Sequence, residues 1–212
     1  MAQCGDILLA SQNAGKVGEM RQLVTGLPLR ILAPRDVGIV ESPDETGHNF
    51  VENATLKARY YAQRSGLLTV ADDSGLSVDA LRGGPGLYSS RFGGEGASDA
   101  DRNALLLRLL QGRPLDQRGA RFTSAVVAVE NEEIVFTAIE TVEGRIAEEL
   151  RGTNGFGYDP LFFYPPYDRT FGEVSPQEKA QVSHRGKAFA RLRQYLVERL
   201  RRAGCAEASS AS

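Results

Sequence analysis

An α/β fold built on a mixed sheet, in two lobes around a cleft, is what the 212-residue chain predicts. Three observations carry this expectation. The N-terminal third alternates apolar strand-like runs with helix-spaced segments. The middle of the chain is β-branched and aromatic, broken by turn residues. The last long segment carries an apolar stripe at helical spacing.

The elements follow in order. Residues 6–10 read as a strand, 14–26 as a helix with Gly26 as its C-cap, and 29–33 as a second strand. A Pro- and acid-rich loop, "PRDVGIVESPDETGHNF", comes next. From Asn49 to Ser65, Phe50, Ala54, Ala58, Tyr61 and Ala62 recur at helical spacing, and Gly66 ends the helix. "LLTVADDSG" reads as a short buried strand stopping on two carboxylates. A glycine-rich loop, "GLSVDALRGGPGLYSSRFGGEGAS", leads to a helix from Asp99 to Gln111. "ARFTSAVVAVENEEIVFTAIETVEGRIAEEL" predicts an antiparallel meander with turns at Glu130-Asn131 and Glu143-Gly144. The stretch "RGTNGFGYDPLFFYPPYDRTFGEVSPQEKAQVSHRGKA" reads as a loop. Phe189, Leu192, Leu196 and Leu200 mark one face of a last helix, Arg185 to Arg202. Residues 1–205 are expected to form a single two-lobed domain and residues 206–212, "AEASSAS", a disordered tail.

Composition narrows the function. A hydrophobic content of 42% supports a sizeable core, and a formal net charge of −2 argues against a dedicated nucleic-acid binder. Cys4 and Cys205 lie near opposite ends without metal or redox spacing, which fits a reducing compartment. No apolar run approaches the ~18 residues of a membrane span. The N-terminus lacks the regions of a signal peptide, so a cytoplasmic location is the expectation.

Five short stretches could carry chemistry. "LASQNAGKVGEM" has the outline of a P-loop, but Ala10 stands where the signature needs Gly, and Val17 where it needs the Mg²⁺-ligating hydroxyl. What survives is a strand end followed by a helix N-terminus near Asn13, whose unpaired N–H groups and positive dipole end favour an anion. Ser11, Asn13 and Lys16 would add donors; the same residues also suit an ordinary turn capped by Asn13. "VADDSG" brings Asp72 and Asp73 to the carboxyl edge of a sheet, where α/β folds bind ligands. Adjacent strand residues point to opposite faces, so one of the pair enters a site while the other braces the structure. "SPDETG" alone reads as a solvated loop; with Asp73 it would complete an oxygen-rich shell for Mg²⁺. "TNGFGYDP" sets Phe156 between glycines, either to stack on a flat base or to pack in the core. "SHRGKA" puts His184 and Arg185 at the start of the last helix, where capping and solvation are their ordinary roles. That helix is basic, yet its apolar stripe assigns it to the core.

Each stretch is weak alone; their order along one chain is specific. "SQNAGK" with Glu19, "DETG" with "FVENATLKA", "ADDSGLSVDALRGGPGLYSSRF", "GFGYDP", Glu178-Lys179 and "SHRGKA" together resemble the Ham1 or inosine triphosphatase family of non-canonical purine nucleoside triphosphate pyrophosphatases. The resemblance runs from Ile7 to the last helix. It implies a two-lobed mixed β-sheet with flanking helices and a deep central cleft, in a homodimer. It also implies Mg²⁺-dependent hydrolysis of ITP, dITP and XTP to the monophosphate and pyrophosphate. By the same resemblance Ser11, Gln12, Asn13, Ala14, Gly15 and Lys16 hold the triphosphate, and Lys57 reaches phosphate. Asp73 is the catalytic acceptor and a metal ligand with Glu45, Asp44 being the near alternative, and Ser74 lies beside the substrate. Phe156, Gly157, Tyr158 and Asp159 frame the base, with Lys179, His184 and Arg185 completing its pocket. Departures are small: Ser11 replaces a common Thr and Ser90 a common Ala, and His48 is given no role. Two other readings stay open, a pyrophosphatase for modified pyrimidine nucleotides and a nucleotide-binding protein without turnover.

Overall fold

The computed structural model describes residues 5–205; Cys4 and the expected tail, 206–212, lie outside them. Seven strands form one open mixed sheet in the order β2-β1-β3-β4-β5-β6-β7. They are β1 (Gly5–Leu9), β2 (Leu29–Leu32), β3 (Leu68–Val78), β4 (Gly119–Glu130), β5 (Glu133–Ile146), β6 (Phe162–Tyr164) and β7 (Arg169–Thr170). Among the described residues five α-helices accompany them: α1 (Ala14–Leu23), α2 (Phe50–Ser65), α3 (Asp99–Leu109), α4 (Pro176–Val182) and α5 (His184–Arg202). No helix among the described residues is long and apolar enough to cross a membrane. The chain divides into two compact units. One holds the chain up to Asp73, Ala125–Ile139 and everything from Ala188; the other holds Ser74–Ser124 and Glu140–Lys187.

In the first unit β1 runs parallel to β2, with Ile7 opposite Ile31, and parallel to β3, with Leu9 opposite Val70. Parallel strands need helical crossovers, which α1 and α2 supply. The run Ile7-Leu8-Leu9 is apolar without alternation because both sheet faces are covered. Ile7 and Leu9 pack with Val17 and Met20 of α1 and with Phe189, Leu192 and Leu196 of α5. Leu8 and Ala10 pack with Ala54, Ala58, Tyr61 and Ala62 of α2. In β4 the same parity sorts Val126 and Ala128 to the first cluster and Val127 and Val129 to the second. Each fully buried Leu or Val contributes about 1.5–3 kcal/mol. Asn13 caps α1 by accepting from the Lys16 N–H at 3.2 Å, as expected. Gly66 ends α2 at φ 67 in the left-handed region. Helix α1 stops at Leu23, short of Gly26, with Val24 as its C-cap.

The second unit has an aromatic core. Phe122, Phe162 and Phe171 pack together, with centroids 4.6 Å apart for the first pair and 4.9 Å for the last two, beside Leu76, Leu106, Leu110 and Ile146. Arg118 is buried here at 3% exposure. Its guanidinium donates to the carbonyls of Leu110, Ile146 and Ala147 at 2.9, 2.7 and 2.8 Å, and so joins the end of α3 to the end of β5.

Three sequence expectations are corrected. β3 does not stop at the carboxylates but continues to Val78, so Asp72 and Asp73 sit mid-strand rather than at its end. The first hairpin turn forms, one residue later than expected, at Asn131-Glu132, both left-handed at φ 48 and 69, but no turn forms at Glu143-Gly144. β5 runs straight through, because Gly144 answers a different demand: a Cβ there would lie 2.5 Å from the Phe163 carbonyl oxygen and 2.6 Å from the Phe162 ring. The stretch read as one long loop contains β6, β7 and α4. The two strands are too short to show alternation, yet α4 carried a signal, the Ser175/Glu178 capping box with Pro176 at the first position.

Candidate functional site

The chemistry of the first unit gathers on adjacent residues of β3. Asp72 and Asp73 point to opposite faces of the strand, and each meets its own lysine. Lys16, in the first turn of α1, places Nζ 2.7 Å from Asp72 Oδ2 and 3.2 Å from the Asp72 carbonyl oxygen. Lys57, on α2, donates to Asp73 Oδ1 and to Glu45 Oε1, both at 2.8 Å. Asp72 is 1% and Asp73 7% exposed, so these pairs stand largely out of water. Burial pushes the Asp73 carboxyl above the usual carboxylate range, Glu45 adds to the push, and Lys57 and Lys16 oppose it. For Lys57 burial acts downward, but the two carboxylates outweigh it and its pKa is raised. A buried, basic carboxylate beside a firmly held ammonium suits an acceptor of a proton from water.

The position of Glu45 is set by the loop ahead of α2. Gly47 lies so close to the helix that a Cβ would meet Asn53 Oδ1 and Glu52 Cβ at 2.7 Å. Its N–H donates to Asn53 Oδ1 at 2.8 Å, and the His48 N–H donates to Glu52 Oε2 at 2.7 Å. Asn53 and Lys57 are one turn apart on α2, so one face of the helix pins the loop and receives its carboxylate. Asp44 is exposed, whereas Glu45 is half-buried and faces Lys57. The geometry therefore favours Glu45 over Asp44 as the acidic partner.

The turn before α1 brings the remaining phosphate candidates together. Ser11 Oγ accepts from the Asn13 N–H at 3.1 Å, and Gln12 Nε2 donates to the Val40 carbonyl at 3.1 Å. Ala14 and Gly15 occupy the first turn, where backbone N–H groups have no partner within the helix.

Glu45 and Asp73 bear directly on a metal. Their oxygens converge on one point, the Lys57 ammonium, so the site already accommodates positive charge between two carboxylates. Among the described residues no cluster of three or more His, Cys, Asp or Glu converges. This pattern does not suit an all-protein cage. It does fit Mg²⁺, which takes one or two carboxylates and fills its octahedron with water and substrate phosphate oxygens.

In the second unit Phe156 stands half-buried on a tightly held loop. Lys179 Nζ lies 4.7 Å and the Arg185 guanidinium carbon 5.3 Å from its ring centroid. Asp159 is internal: Oδ2 accepts from the Phe156 N–H at 2.8 Å and from Lys179 at 2.6 Å. A Cβ on Gly155 would strike that oxygen at 2.1 Å, which explains the first glycine of "GFGYDP". Tyr158 is buried too, its hydroxyl donating to the Ser89 carbonyl at 2.8 Å, and burial pushes its phenol well above the ordinary value. His184 stacks on Phe122 at 4.6 Å and is 3% exposed. Arg185 Nη2 donates to Ser74 Oγ at 2.7 Å. Of the residues expected around a base, Phe156 and Gly157 are thus half-buried, Lys179 and Arg185 flank the ring while themselves buried, and Tyr158, Asp159 and His184 are buried as well.

Sequence reasoning missed the Lys16–Asp72 pair, because no spacing rule links residues so far apart. It also missed Asn53, although a polar residue among the alanines of α2 was a visible anomaly.

The chain matches the Ham1 family over residues 7–195. It is 46% identical over 186 residues to a dITP/XTP pyrophosphatase of Exiguobacterium sibiricum, covering 88% of this chain and 94% of the relative. A protein of the same description from Coxiella burnetii is 44% identical over 195 residues, covering 91% of this chain and 97% of the relative. Among solved structures, a HAM1 protein from Coxiella burnetii superposes with a TM-score of 0.82 at 42% identity, covering 93% of this chain and all 100% of that one. The Staphylococcus aureus Ham1 protein gives 0.78 at 34% identity over 92% of this chain and 99% of that one. Motif order, sheet topology and identity over almost the whole chain agree, and the chain belongs to the Ham1 family.

Proposed function

We propose that this chain hydrolyses non-canonical purine nucleoside triphosphates (ITP, dITP and XTP) to the monophosphate and pyrophosphate. The observation that carries the reading is the pair of lysine–carboxylate contacts on adjacent residues of β3, Lys16–Asp72 and Lys57–Asp73. The description of its relatives as dITP/XTP pyrophosphatases supports the same substrate class.

The substrate brings about four negative charges, so alignment and neutralisation are the main tasks. Lys16, Lys57 and the N–H groups at the start of α1 take the polyphosphate, with Ser11, Gln12 and Asn13 adding polar contacts. Asp73 orients a water for attack on the α-phosphorus and accepts its proton, a role its raised pKa favours. Mg²⁺ held by Glu45 and Asp73 would neutralise phosphate charge and make that water more acidic. Pyrophosphate leaves with the charge that Lys16 balances.

Phe156 offers its ring to the base, with Lys179 and Arg185 supplying positive charge over that ring. Hypoxanthine and xanthine carry a 6-keto acceptor where adenine has an amino donor. A donor such as Arg185 can meet the former but faces a second donor in the latter, a mismatch worth ~10⁴-fold. We further propose a homodimer, as the family resemblance implies, and a cytoplasmic location.

The test incubates the protein with Mg²⁺ and ITP, XTP, dITP, dUTP, ATP or GTP and measures orthophosphate and pyrophosphate separately. Turnover of ITP and XTP to pyrophosphate is expected. Orthophosphate as the direct product, preference for a pyrimidine nucleotide, or binding without turnover would each overturn the reading.

A further inference from the structure

We propose that Asp99 and Asn103 are positioning residues that clamp Gly157 and so hold Phe156 ready for the base, setting substrate affinity; this rests on the reading of Phe156 given above. The two residues are one turn apart and share a face of α3. The Gly157 N–H donates to Asp99 Oδ2 at 2.7 Å, and the Gly157 carbonyl accepts from Asn103 Nδ2 at 2.9 Å. One helix therefore takes both backbone polar groups of a single residue. That residue lies in the left-handed region at φ 63, so the turn it makes depends on glycine and on whatever holds it there. Asp159 fixes the preceding amide, that of Phe156, and the Tyr158 hydroxyl anchors the far side.

A second observation comes from Asn103 itself. It is 4% exposed, and its Oδ1 finds no hydrogen-bond partner among the described residues. An apolar residue would avoid that unmet acceptor, so a side chain wanted only for packing would not be an amide. The donor to Gly157 supplies the reason. Asp99 serves with one oxygen while its other contacts Arg102, which leaves the clamp at the exposed end of α3.

Loosening the clamp frees the Phe156 ring from its preset position, and the substrate must then order it on binding. The experiment compares Asp99→Ala, Asp99→Asn, Asn103→Leu and Asn103→Asp with the parent protein. Two readouts are used: steady-state kinetics on ITP, and amide exchange of the peptide covering residues 155–159. Asp99→Ala and Asn103→Leu are expected to raise KM about tenfold with kcat within about threefold, and to speed exchange at Gly157 about tenfold or more. Asp99→Asn keeps an oxygen that accepts the Gly157 N–H and should restore both values. Asn103→Asp keeps the shape but sets a carboxylate against the Gly157 carbonyl and should behave like Asn103→Leu.

Unchanged KM in a folded Asp99→Ala protein overturns the proposal, whether or not exchange accelerates. So does a fall in melting temperature and kcat with KM untouched, which would mark a purely structural role. Should the buried Asn103 variants fail to fold, Asp99→Ala, on a side chain 47% exposed, decides alone. Absence of ITP turnover in the parent protein would instead sink the functional reading, while exchange at Gly157 would still report on the clamp.

Discussion

Replacing Lys57 with Met keeps the length and apolar stem of the side chain and removes the ammonium. Glu45 and Asp73 then face each other with oxygens at most twice 2.8 Å apart, since each lies that far from the lost nitrogen. At this spacing two unit charges repel by about 3 kcal/mol at an effective dielectric constant of about 20. The Glu45 side chain is 26% exposed, so screening reduces the cost to about 2 kcal/mol. Asp73, whose pKa burial already raises, is pushed further up and takes a proton on acidification. The sign follows from linkage. A carboxyl with a raised folded-state pKa carries no penalty below its unfolded value of about 3.9, and the penalty grows as pH rises through the folded pKa. Urea unfolding in metal-free buffer should show the variant about 2 kcal/mol less stable at pH 8, with the gap closing as pH falls toward about 4. Added Mg²⁺ should recover part of the loss at pH 8 by binding the folded state. A loss that is the same at every pH, or none at pH 8, would refute the paired-carboxylate argument.

Other consequences are equally open to measurement. Asp73→Asn keeps the shape and removes the proton acceptor, so ITP turnover should fall by about 10²–10⁴ while circular dichroism stays unchanged; full activity would reassign the acceptor. Arg118→Met leaves the carbonyls of Leu110, Ile146 and Ala147 buried without their donor, and the chain should lose about 3 kcal/mol or more in thermal melts while KM for nucleotide is kept. Glu178 accepts from the Ser175 N–H and from Arg169, which lowers its pKa from 4.5 to about 2. Such a depressed carboxyl stabilises the fold above 4.5 and loses that contribution as pH falls through about 2. The stability gap between parent and Glu178→Gln should therefore be full at pH 7 and narrow below 4.5.

Much of this architecture was written locally in the chain. The Ile7-Leu8-Leu9 run, the Asn13 cap and the helix-ending Gly66 are short-range signals, and each produced the element it predicts. Where long-range packing decides, the local signal misled. Gly144 looked like a turn residue, yet the Phe162–Phe163 backbone approaching from β6 is what demands it. The carboxylates of "VADDSG" looked like a strand end because polar residues seldom sit inside a buried strand. They do here since Lys16 and Lys57, from two different helices, satisfy them. Site residues were legible as motifs, but their division of labour was not: only the fold buries Tyr158, Asp159 and His184 and leaves Phe156 and Gly157 half-buried.

Asp73, Lys57 and Lys16 are assigned to the α-phosphoryl group, and that assignment fixes where water attacks. Hydrolysis of ITP in ¹⁸O-labelled water, with both products resolved by mass spectrometry, tests this directly. The label is expected in inosine monophosphate and absent from pyrophosphate. Label in pyrophosphate would place the attack on the β-phosphorus and contradict the assignment.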